Sequence, residues 1–316
     1  MNDPVIALHH LSKSYGDVHA VRDLSLQIEA GTIFGFLGPN GAGKTTTMRM
    51  LCGLTHPTSG HATMEGVDTW KERQKVRTKF GYVPQSFSLY RDLTVLENFR
   101  FFAGAYGVPG AQLEERIDRL LQVIDLEEKR GTTADNLSGG MRQLLAIGCA
   151  LVHDPSVLFL DEPTRGLDPV HRQQIWNLLY DLSNAGKTIF VTTHYMDEVE
   201  RCTEVGFIEA GQLLAKASPR ALKSSFRTRL LEIDVDPLMP ALVRLRDFPE
   251  LLGVSLRSGS LRIYAAEPEK LMTRWRAAWP FPDLHLLGER WVEPDMEDVF
   301  TAYSQGYDDV LRKSVP

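Results

Sequence analysis

One nine-residue stretch constrains this chain more than any other, because it fits the pattern G-x-x-x-x-G-K-[ST]. It reads Gly38-Pro39-Asn40-Gly41-Ala42-Gly43-Lys44-Thr45-Thr46. The apolar run 32–37 before it is typical of a buried strand, and 45–51 after it is typical of the first turns of a helix. Glycines let the backbone curl so that successive N–H groups point at a phosphate chain, and the helix N-terminus adds partial positive charge. We therefore predict a strand–loop–helix unit that binds phosphate groups, which a chance glycine-rich turn would not do.

Two side chains give this loop its expected chemistry. Lys44 would reach the β- and γ-phosphates of a nucleotide, and the hydroxyl of Thr45 would bind Mg²⁺. The backbone of the loop would hold the rest of the phosphate chain.

Composition narrows the class of protein further. The 316 residues leave room for one large domain or two modest ones, and 43% hydrophobic residues with 24% charged residues is ordinary for a globular chain. No apolar run approaches the roughly 18–20 residues that a membrane span requires, and Asp3 and Pro4 interrupt any apolar region of a signal peptide. Three separated cysteines argue against a disulfide framework. We expect a cytosolic, reduced chain, and its net charge of −6 argues against nucleic-acid binding.

The hydrophobic pattern predicts an α/β core followed by a second module. Strands are predicted at 5–8, 24–28, 32–37, 61–65, 157–161 and 188–193, and helices at 71–77, 94–104, 112–124 and 170–185. Thr94 and Glu97 have the spacing of a capping box at the start of a helix. The alternation of strands and helices favours a largely parallel sheet, with a helical insert between the phosphate loop and residue 137.

A new pattern begins after Ser218-Pro219. Strand 229–235, helix 237–247, a hairpin of 253–257 with 261–265, helix 268–279 and strand 284–288 follow in order, and a final helix is predicted at 295–305. The β-α-β-β-α-β order predicts a small ferredoxin-like module. Its basic and acidic residues are nearly equal in number, which gives no support to a nucleic-acid role. The pattern leaves two interpretations open, a packing or dimer-bracing appendage and a regulatory ligand site.

Further motifs follow the phosphate loop in a defined order. They are Gly81-Tyr82-Val83-Pro84-Gln85, Leu137-Ser138-Gly139-Gly140-Met141-Arg142-Gln143, Val157-Leu158-Phe159-Leu160-Asp161-Glu162-Pro163, Gly166-Leu167-Asp168-Pro169 and the run 188–193 that ends at His194. This order resembles the nucleotide-binding subunit of an ATP-binding-cassette (ABC) transporter over about residues 4–215. The Gly166–Pro169 motif and the tail Glu293-Pro294-Asp295-Met296-Glu297-Asp298-Val299-Phe300 are similar to the ABC-2 exporter group, which carries drugs, lipids or polysaccharides outward.

The resemblance implies a fold, a division into domains and an activity. The fold is a P-loop ABC ATPase core in an α/β domain 1–217, with a helical subdomain at about 86–140. The accessory domain 218–316 is the small α+β module. The activity is hydrolysis of ATP with Mg²⁺.

The resemblance also implies roles for single residues around the phosphates. Asp161 would hold Mg²⁺ with Thr45, and Glu162 would act as the general base toward the attacking water. His194 would sense the γ-phosphate and help to orient Glu162, and Gln85 would bind both Mg²⁺ and the water. Tyr15 would stack on adenine. The alternatives are a solvated acidic turn for the two acids, a structural role for His194 and an ordinary strand-end aromatic for Tyr15.

A second set of residues is implied to act across a dimer. Ser138, Gly139 and Gly140 would meet the γ-phosphate held by a partner subunit, and Asp168 would tie the two sites together. One cassette per chain then implies two chains, as a homodimer or another cassette dimer, around two ATPs. Met141 departs from the usual Gln, which puts the polar contacts of that side chain in doubt.

The resemblance places the chain at the cytoplasmic face of the cell membrane as a peripheral subunit of integral-membrane permease subunits. Segment 86–102 is the expected docking surface, because it follows Gln85 and contains Phe87, Tyr90, Phe99, Phe101 and Phe102. Other interpretations are a soluble cassette ATPase that acts on nucleic acid or ribosomes and a regulatory cassette without turnover. A soluble cassette ATPase usually has a second cassette, a coiled-coil insertion or a zinc module, and this sequence shows none of them. The intact Glu162 and His194 argue against a regulatory cassette without turnover.

Overall fold

A computed structural model describes residues 4–86, 88–110, 113–227, 229–307 and 309–311. The chain divides into two compact units, one up to Leu214 and one from Ala215. Within the described residues, no helix is long and apolar enough to cross a membrane.

The first unit contains an antiparallel sheet of four strands. They are β1 (Ile6–Tyr15), β2 (Val18–Ile28), β4 (Ser59–Met64) and β5 (Val67–Asp68), in the order β2-β1-β4-β5. Strands β1 and β2 form a hairpin whose last pair is Tyr15 and Val18, so the chain turns at Gly16-Asp17. Both strands are longer than the apolar runs predicted. Register shifts between Leu8 and Ser14 break the alternation that sequence reasoning follows.

The second sheet has six strands and forms the centre of the core. They are β3 (Ile33–Leu37), β6 (Phe80–Val83), β7 (Val157–Asp161), β8 (Thr188–Thr193), β9 (Glu204–Glu209) and β10 (Gln212–Ala217), in the order β10-β9-β3-β8-β7-β6. The pairs β3–β8, β3–β9, β6–β7 and β7–β8 are parallel, which confirms the predicted α/β core. Every side chain of β3, β7 and β8 is buried. Because these strands are parallel, their carboxyl ends lie at the same edge of the sheet, which is where ligands bind in open α/β sheets.

Helices lie between and beyond these strands. They are α1 (Lys44–Leu51), α2 (Arg73–Val76), α3 (Val95–Tyr106), α4 (Leu113–Val123), α5 (Gly139–Leu151), α6 (Pro169–Asn184) and α7 (Met196–Val199). The predicted capping box of Thr94 and Glu97 is present at the start of α3. Helices α3, α4 and α5 bury one apolar side each, with Phe99, Ile117 and Leu145 fully buried. The predicted residue Gln112 lies outside the described residues.

The second unit has the strand order of a ferredoxin-like fold. Its elements are α8 (Pro219–Ser224), β11 (Leu230–Asp236), α9 (Leu238–Arg246), β12 (Gly253–Arg257), β13 (Ser260–Tyr264), α10 (Pro268–Ala277), β14 (His285–Val292) and α11 (Met296–Gln305). The sheet order is β12-β13-β11-β14, and the β11–β13, β11–β14 and β12–β13 pairs are antiparallel. Apolar side chains of the sheet pack on α9 and α10, in a cluster that includes Ile233, Leu245 and Trp275.

Ion pairs anchor α11 to charged side chains of the same sheet. Asp298 is fully buried, accepts hydrogen bonds from Tyr264 at 2.8 Å and from Arg257 at 3.0 Å, and pairs closely with Arg262. Arg262 also lies 2.6 Å from Glu232 on β11. Asp298 and Asp295 form the capping box that begins α11. Residues of the tail motif 293–300 therefore hold α11 against the sheet of the second unit.

Candidate nucleotide-binding site

The phosphate loop lies at the carboxyl edge of the six-stranded sheet, between β3 and α1. A cavity of about 220 Å³ opens there, and its lining residues are Ala20, Asn40, Gly41, Ala42, Gly43, Lys44, Thr45, Thr46, Gln85 and Glu162. Gly43 has a φ of 105°, and a Cβ at this position would lie 2.4 Å from the carbonyl oxygen of Ala20. A glycine is thus required where the loop enters the helix.

Lys44 is buried and lies folded against its own loop. Its Nζ donates to the carbonyl oxygens of Gly38 at 2.6 Å and Pro39 at 3.0 Å. Burial lowers the pKa of Lys44, and the nearby carboxylates of Glu162 and Asp161 oppose that shift. The ammonium group therefore donates to two neutral carbonyl oxygens. An anion in the cavity would be a stronger acceptor and could replace them.

Asp161 links the loop to two strands. It ends β7 and is 2% exposed. Its Oδ2 accepts from the Thr45 hydroxyl at 2.9 Å, and its Oδ1 accepts from the Thr192 hydroxyl at 2.6 Å. Thr192 is a contact that sequence reasoning missed, although its place two residues before His194 on a buried strand is a usable signal. A carboxylate and a hydroxyl at hydrogen-bond distance fit a Mg²⁺ ion that keeps its remaining ligands from water and phosphate.

Glu162 has a backbone conformation that is uncommon for a residue other than glycine. Its φ is 51°, in the left-handed region. The Glu162 N–H donates to the Thr192 hydroxyl at 3.0 Å, which fixes the backbone in that conformation. Such outliers cluster at functional sites, because the surrounding structure must stabilise them.

Three side chains converge on the Glu162 carboxylate. Gln85 Nε2 donates to Oε2 at 2.9 Å, His194 Nδ1 lies 3.4 Å from Oε1, and the Arg165 guanidinium lies 3.6 Å from Oε2. His194 Nδ1 is buried and has no hydrogen-bond partner among the described residues. The structure thus brings Gln85, Glu162 and His194 together beside the phosphate loop. Arg165 is a further neighbour that no sequence motif indicated.

Tyr15 lies apart from these groups. It ends β1, is 50% exposed, and Lys13 Nζ lies 4.9 Å from the centre of its ring. Ala20, on the following strand, is the residue of this hairpin that lines the cavity.

Ser138, Gly139, Gly140 and Asp168 form a second group around two helix starts. The Ser138 hydroxyl caps α5 by accepting from the Met141 N–H at 3.2 Å, and Asp168 caps α6 by accepting from the Val170 N–H at 3.0 Å. His171 joins the two caps, because Nδ1 pairs with Asp168 and Nε2 lies 3.5 Å from the Ser138 hydroxyl.

Gly140 allows this close approach. A Cβ at Gly140 would lie 2.0 Å from the His171 ring. None of the four sequence-predicted residues in this second group is among the described residues that line the cavity.

Comparison with known proteins accords with this geometry. The sequence model of the ABC transporter family matches residues 21–165, which include the phosphate loop, Gln85, Ser138 and Glu162. The chain is 39% identical over 298 residues to the Nod factor export ATP-binding protein I of Cupriavidus metallidurans, and the match covers 94% of this chain and 96% of that protein. The chain belongs to the ABC transporter family. It carries an ABC ATPase domain, as the order of motifs predicted.

Two further comparisons agree. The chain is 43% identical over 222 residues to the probable multidrug ABC transporter ATP-binding protein YbhF of Escherichia coli K12, which covers 70% of this chain and 38% of YbhF. It therefore spans well under half the length of that relative. The dimeric ABC cassette MJ0796, solved in a post-hydrolysis state bound to ADP and Pi, superposes with a TM-score of 0.62 at 29% identity, over 67% of this chain and 98% of that one. The predicted P-loop ABC fold is confirmed.

Proposed function

We propose that this chain is the ATP-hydrolysing subunit of an ABC exporter, and that it powers a separate membrane permease. The observation that carries the proposal is the position of Glu162, whose carboxylate is held by Gln85 and faces His194 at the rim of the phosphate-loop cavity. The export direction draws support from the names of two relatives, which refer to Nod factor export and multidrug transport.

The loop would bind the phosphates of ATP. Backbone N–H groups between Asn40 and Thr46 would supply donors, and Lys44 would leave the Gly38 and Pro39 carbonyls for the β- and γ-phosphates. This exchange replaces two neutral acceptors by charged oxygens, which form stronger hydrogen bonds with an ammonium group. Tyr15 would stack on the adenine.

Glu162 would accept a proton from the attacking water. A general base must lie within hydrogen-bond reach of that water, and Gln85 and His194 would hold both in line. His194 Nδ1 has no hydrogen-bond partner among the described residues, so it can take up a new contact with the γ-phosphate or the water.

The oxygen atoms of Thr45 and Asp161 fit a Mg²⁺ ion, and the side-chain oxygen of Gln85 would be a third ligand. When bound, the ion supplies positive charge that neutralises the β- and γ-phosphates. Thr45 and Asp161 already lie 2.9 Å apart, so the chain provides this pair of ligands in advance.

The second group of residues supports a site shared between two chains. Ser138, Gly139 and Gly140 begin α5, where free N–H groups favour an anion, yet they lie outside their own chain's cavity. In a head-to-tail dimer they would cover the γ-phosphate held by the partner, and Asp168 would connect the two sites. Met141, in place of the usual Gln, would contribute no polar contact.

The permease would dock on segment 86–102 from the membrane side. Phe99 is fully buried, whereas Tyr90, Phe101 and Phe102 form a cluster that we name the aromatic patch, with Tyr90 and Phe101 nearly half exposed. Phe87 lies outside the described residues. We assign residues 1–217 to the cassette and 218–316 to an accessory domain, in a peripheral subunit at the cytoplasmic face.

Replacing Glu162 with Gln tests the hydrolytic role directly. The substitution keeps size and hydrogen bonding but removes the proton-accepting charge, so we expect turnover to fall by at least about 10²-fold while ATP affinity is kept. Steady-state phosphate release and binding of a fluorescent ATP analogue measure the two quantities. The variant should also accumulate as an ATP-dependent dimer in sedimentation velocity.

Glu128→Gln is the matched control, because it makes the same chemical change at an exposed glutamate on the helical subdomain. It should hydrolyse ATP at the wild-type rate. Wild-type turnover in Glu162→Gln would refute the assignment of Glu162 as the base.

A further inference from the structure

Glu198 is a buried carboxylate to which no motif assigns a role. It lies on α7, four residues after His194, and is 1% exposed. A carboxylate removed from water is costly unless hydrogen bonds and charges compensate it. Its hydrogen-bond partners therefore indicate which part of the structure this buried carboxylate stabilises.

The first partner, Thr193, brackets His194. The Thr193 hydroxyl donates to Glu198 Oε2 at 2.6 Å and accepts from the Tyr195 N–H at 3.0 Å. One side chain thus fixes the backbone on both sides of His194. Because a hydroxyl has a single proton, its donation to Glu198 also sets the direction in which its lone pairs receive the Tyr195 N–H.

The second partner, Thr164, lies two residues after Glu162. Its hydroxyl donates to Glu198 Oε1, and it is 1% exposed. The same carboxylate therefore holds the segment that follows Glu162 and the segment that carries His194. Glu198 therefore connects the segment that contains Glu162 to the segment that contains His194, the two residues proposed to activate the water.

The third partner, Arg172, connects the anchor to α6. Its Nε lies 3.9 Å from Glu198 Oε1, is buried and has no hydrogen-bond partner among the described residues. Its guanidinium lies 4.9 Å from the centre of the Tyr195 ring. Arg172 belongs to the first turn of α6, where its N–H donates to the Asp168 carbonyl at 3.0 Å.

We propose that Glu198 is a positioning residue for ATP hydrolysis, which fixes His194 through Thr193 and ties it through Thr164 and Arg172 to the segment 162–172. The inference rests on the proposed roles of Glu162 and His194. Glu198 touches neither substrate nor water in it. Its effect on the reaction passes through the placement of the His194 ring beside Glu162.

The test uses the pair Thr193→Val and Thr193→Ser in the full-length protein. Val keeps the shape of Thr but removes the hydroxyl, so kcat should fall about tenfold or more, because small misplacements of catalytic groups slow the chemical step. KM for ATP should stay within about twofold, since the phosphate loop is untouched. Ser retains the hydroxyl and should restore kcat. Glu198→Gln should resemble Thr193→Val.

Thr188→Val is the matched control. Thr188 is on the same strand, is equally buried, and its hydroxyl accepts from the Gly31 N–H at 3.1 Å, but it lies at the opposite end from His194. It should lower thermal stability by as much as Thr193→Val and leave kcat unchanged. Equal losses of kcat in both Val variants would overturn the inference.

A double-mutant cycle separates positioning from a general structural effect. In a His194→Ala background, Thr193→Val should cause no further loss of kcat, because the group that it positions is gone. Additive losses would contradict the inference, as would unchanged kcat in Thr193→Val alone. If His194→Ala and Glu162→Gln keep wild-type turnover, the proposed site fails; if they lose it and Thr193→Val does not, only this inference fails.

Discussion

At the scale of single residues, two buried carboxylates show how differently this chain uses the same chemical group. Glu162 faces a cavity and has Gln85 and His194 beside it, so its charge is available for chemistry. Asp298 is enclosed by two arginines and a tyrosine, and its charge holds a helix in place. At Asp298 the cost of removing the carboxylate from water is compensated by the charged arginines. Removing one member of this group would leave the remaining charges buried without their partner.

We therefore predict a large difference between two aspartate-to-alanine substitutions in the second unit. Asp298→Ala should cost about 3–5 kcal/mol, because it leaves Arg262 buried without one of its acids. Asp283→Ala breaks an exposed pair with Arg244, 2.7 Å apart, and should cost at most about 1 kcal/mol.

Urea unfolding of the full-length chain, followed by tryptophan fluorescence, measures both losses. Trp275, Trp279 and Trp291 lie in the same unit and report its transition. Equal midpoint shifts for the two variants would contradict the structural role of Asp298. Asp298→Asn, which keeps the shape but not the charge, should fall between them.

At this scale the sequence predicts the motif residues and little beyond them. Gln85, Glu162 and His194 were predicted to act around the phosphates, and their side chains lie together in the structure, because each follows a strand of the six-stranded sheet. Thr192, Thr193 and Glu198 are as closely involved, but threonine and glutamate are common near strand ends. Thr192 and Glu198 form hydrogen bonds with segments more than 30 residues away along the chain, which no local pattern encodes. Thr193 is involved through its bonds to Glu198 and Tyr195.

At the scale of elements, the three strands missed in the six-stranded sheet share one cause. Strands β6, β9 and β10 were not predicted, since Gly81, Gly206 and Lys216 interrupt their apolar pattern. Tertiary packing stabilises them: a Cβ at Gly81 would lie 2.3 Å from the Ala150 carbonyl oxygen of α5. The helices α3 and α11 were predicted within two residues of their observed ends, and the structure shows a capping box at the start of each.

The aromatic patch leads to a prediction about membrane attachment. Tyr90→Ala combined with Phe101→Ala should release the chain from membranes that contain the proposed permease, because apolar contacts are lost, and should leave basal ATPase activity unchanged. Moderate salt should not release the wild-type chain, since salt screens exposed charges but not buried apolar contacts.

Fractionation of membranes at low and moderate salt, with blotting for the chain, checks both expectations. Val123→Ala is a suitable control, because Val123 is half exposed on the same helical subdomain but outside the patch. A wild-type chain that stays in the supernatant when the permease is present would contradict the docking proposal.

At the scale of the whole molecule, the site is divided between residues that line the cavity and residues that do not. Lys44 belongs to the first group and Ser138 to the second. If two chains complete each other's sites, each site takes its cavity residues from one chain and its Ser138 group from the other. A defect in one group of one chain then impairs only one of the two sites.

Mixing two inactive variants tests this division. Lys44→Ala should lose nucleotide binding, and Ser138→Arg should block the approach of the partner's γ-phosphate. In a mixed dimer, one of the two sites has both defects and the other has neither, so up to half of the wild-type ATPase activity should return. Titration of one variant into the other, with phosphate release as the measurement, checks this. Efficient hydrolysis by a dilute monomer would contradict a shared site.

The anchoring of α11 has a consequence for the order in which the second unit is made. Asp298 is synthesised after all four strands of its sheet, yet Arg257 and Arg262 on β12 and β13 depend on it. Until the ribosome has added that aspartate, the sheet carries two cations without their main acid. A chain terminated just before α11 would contain every residue of the nucleotide site and still display an unfinished second unit, the kind of exposed surface by which chaperones and proteases select incomplete products.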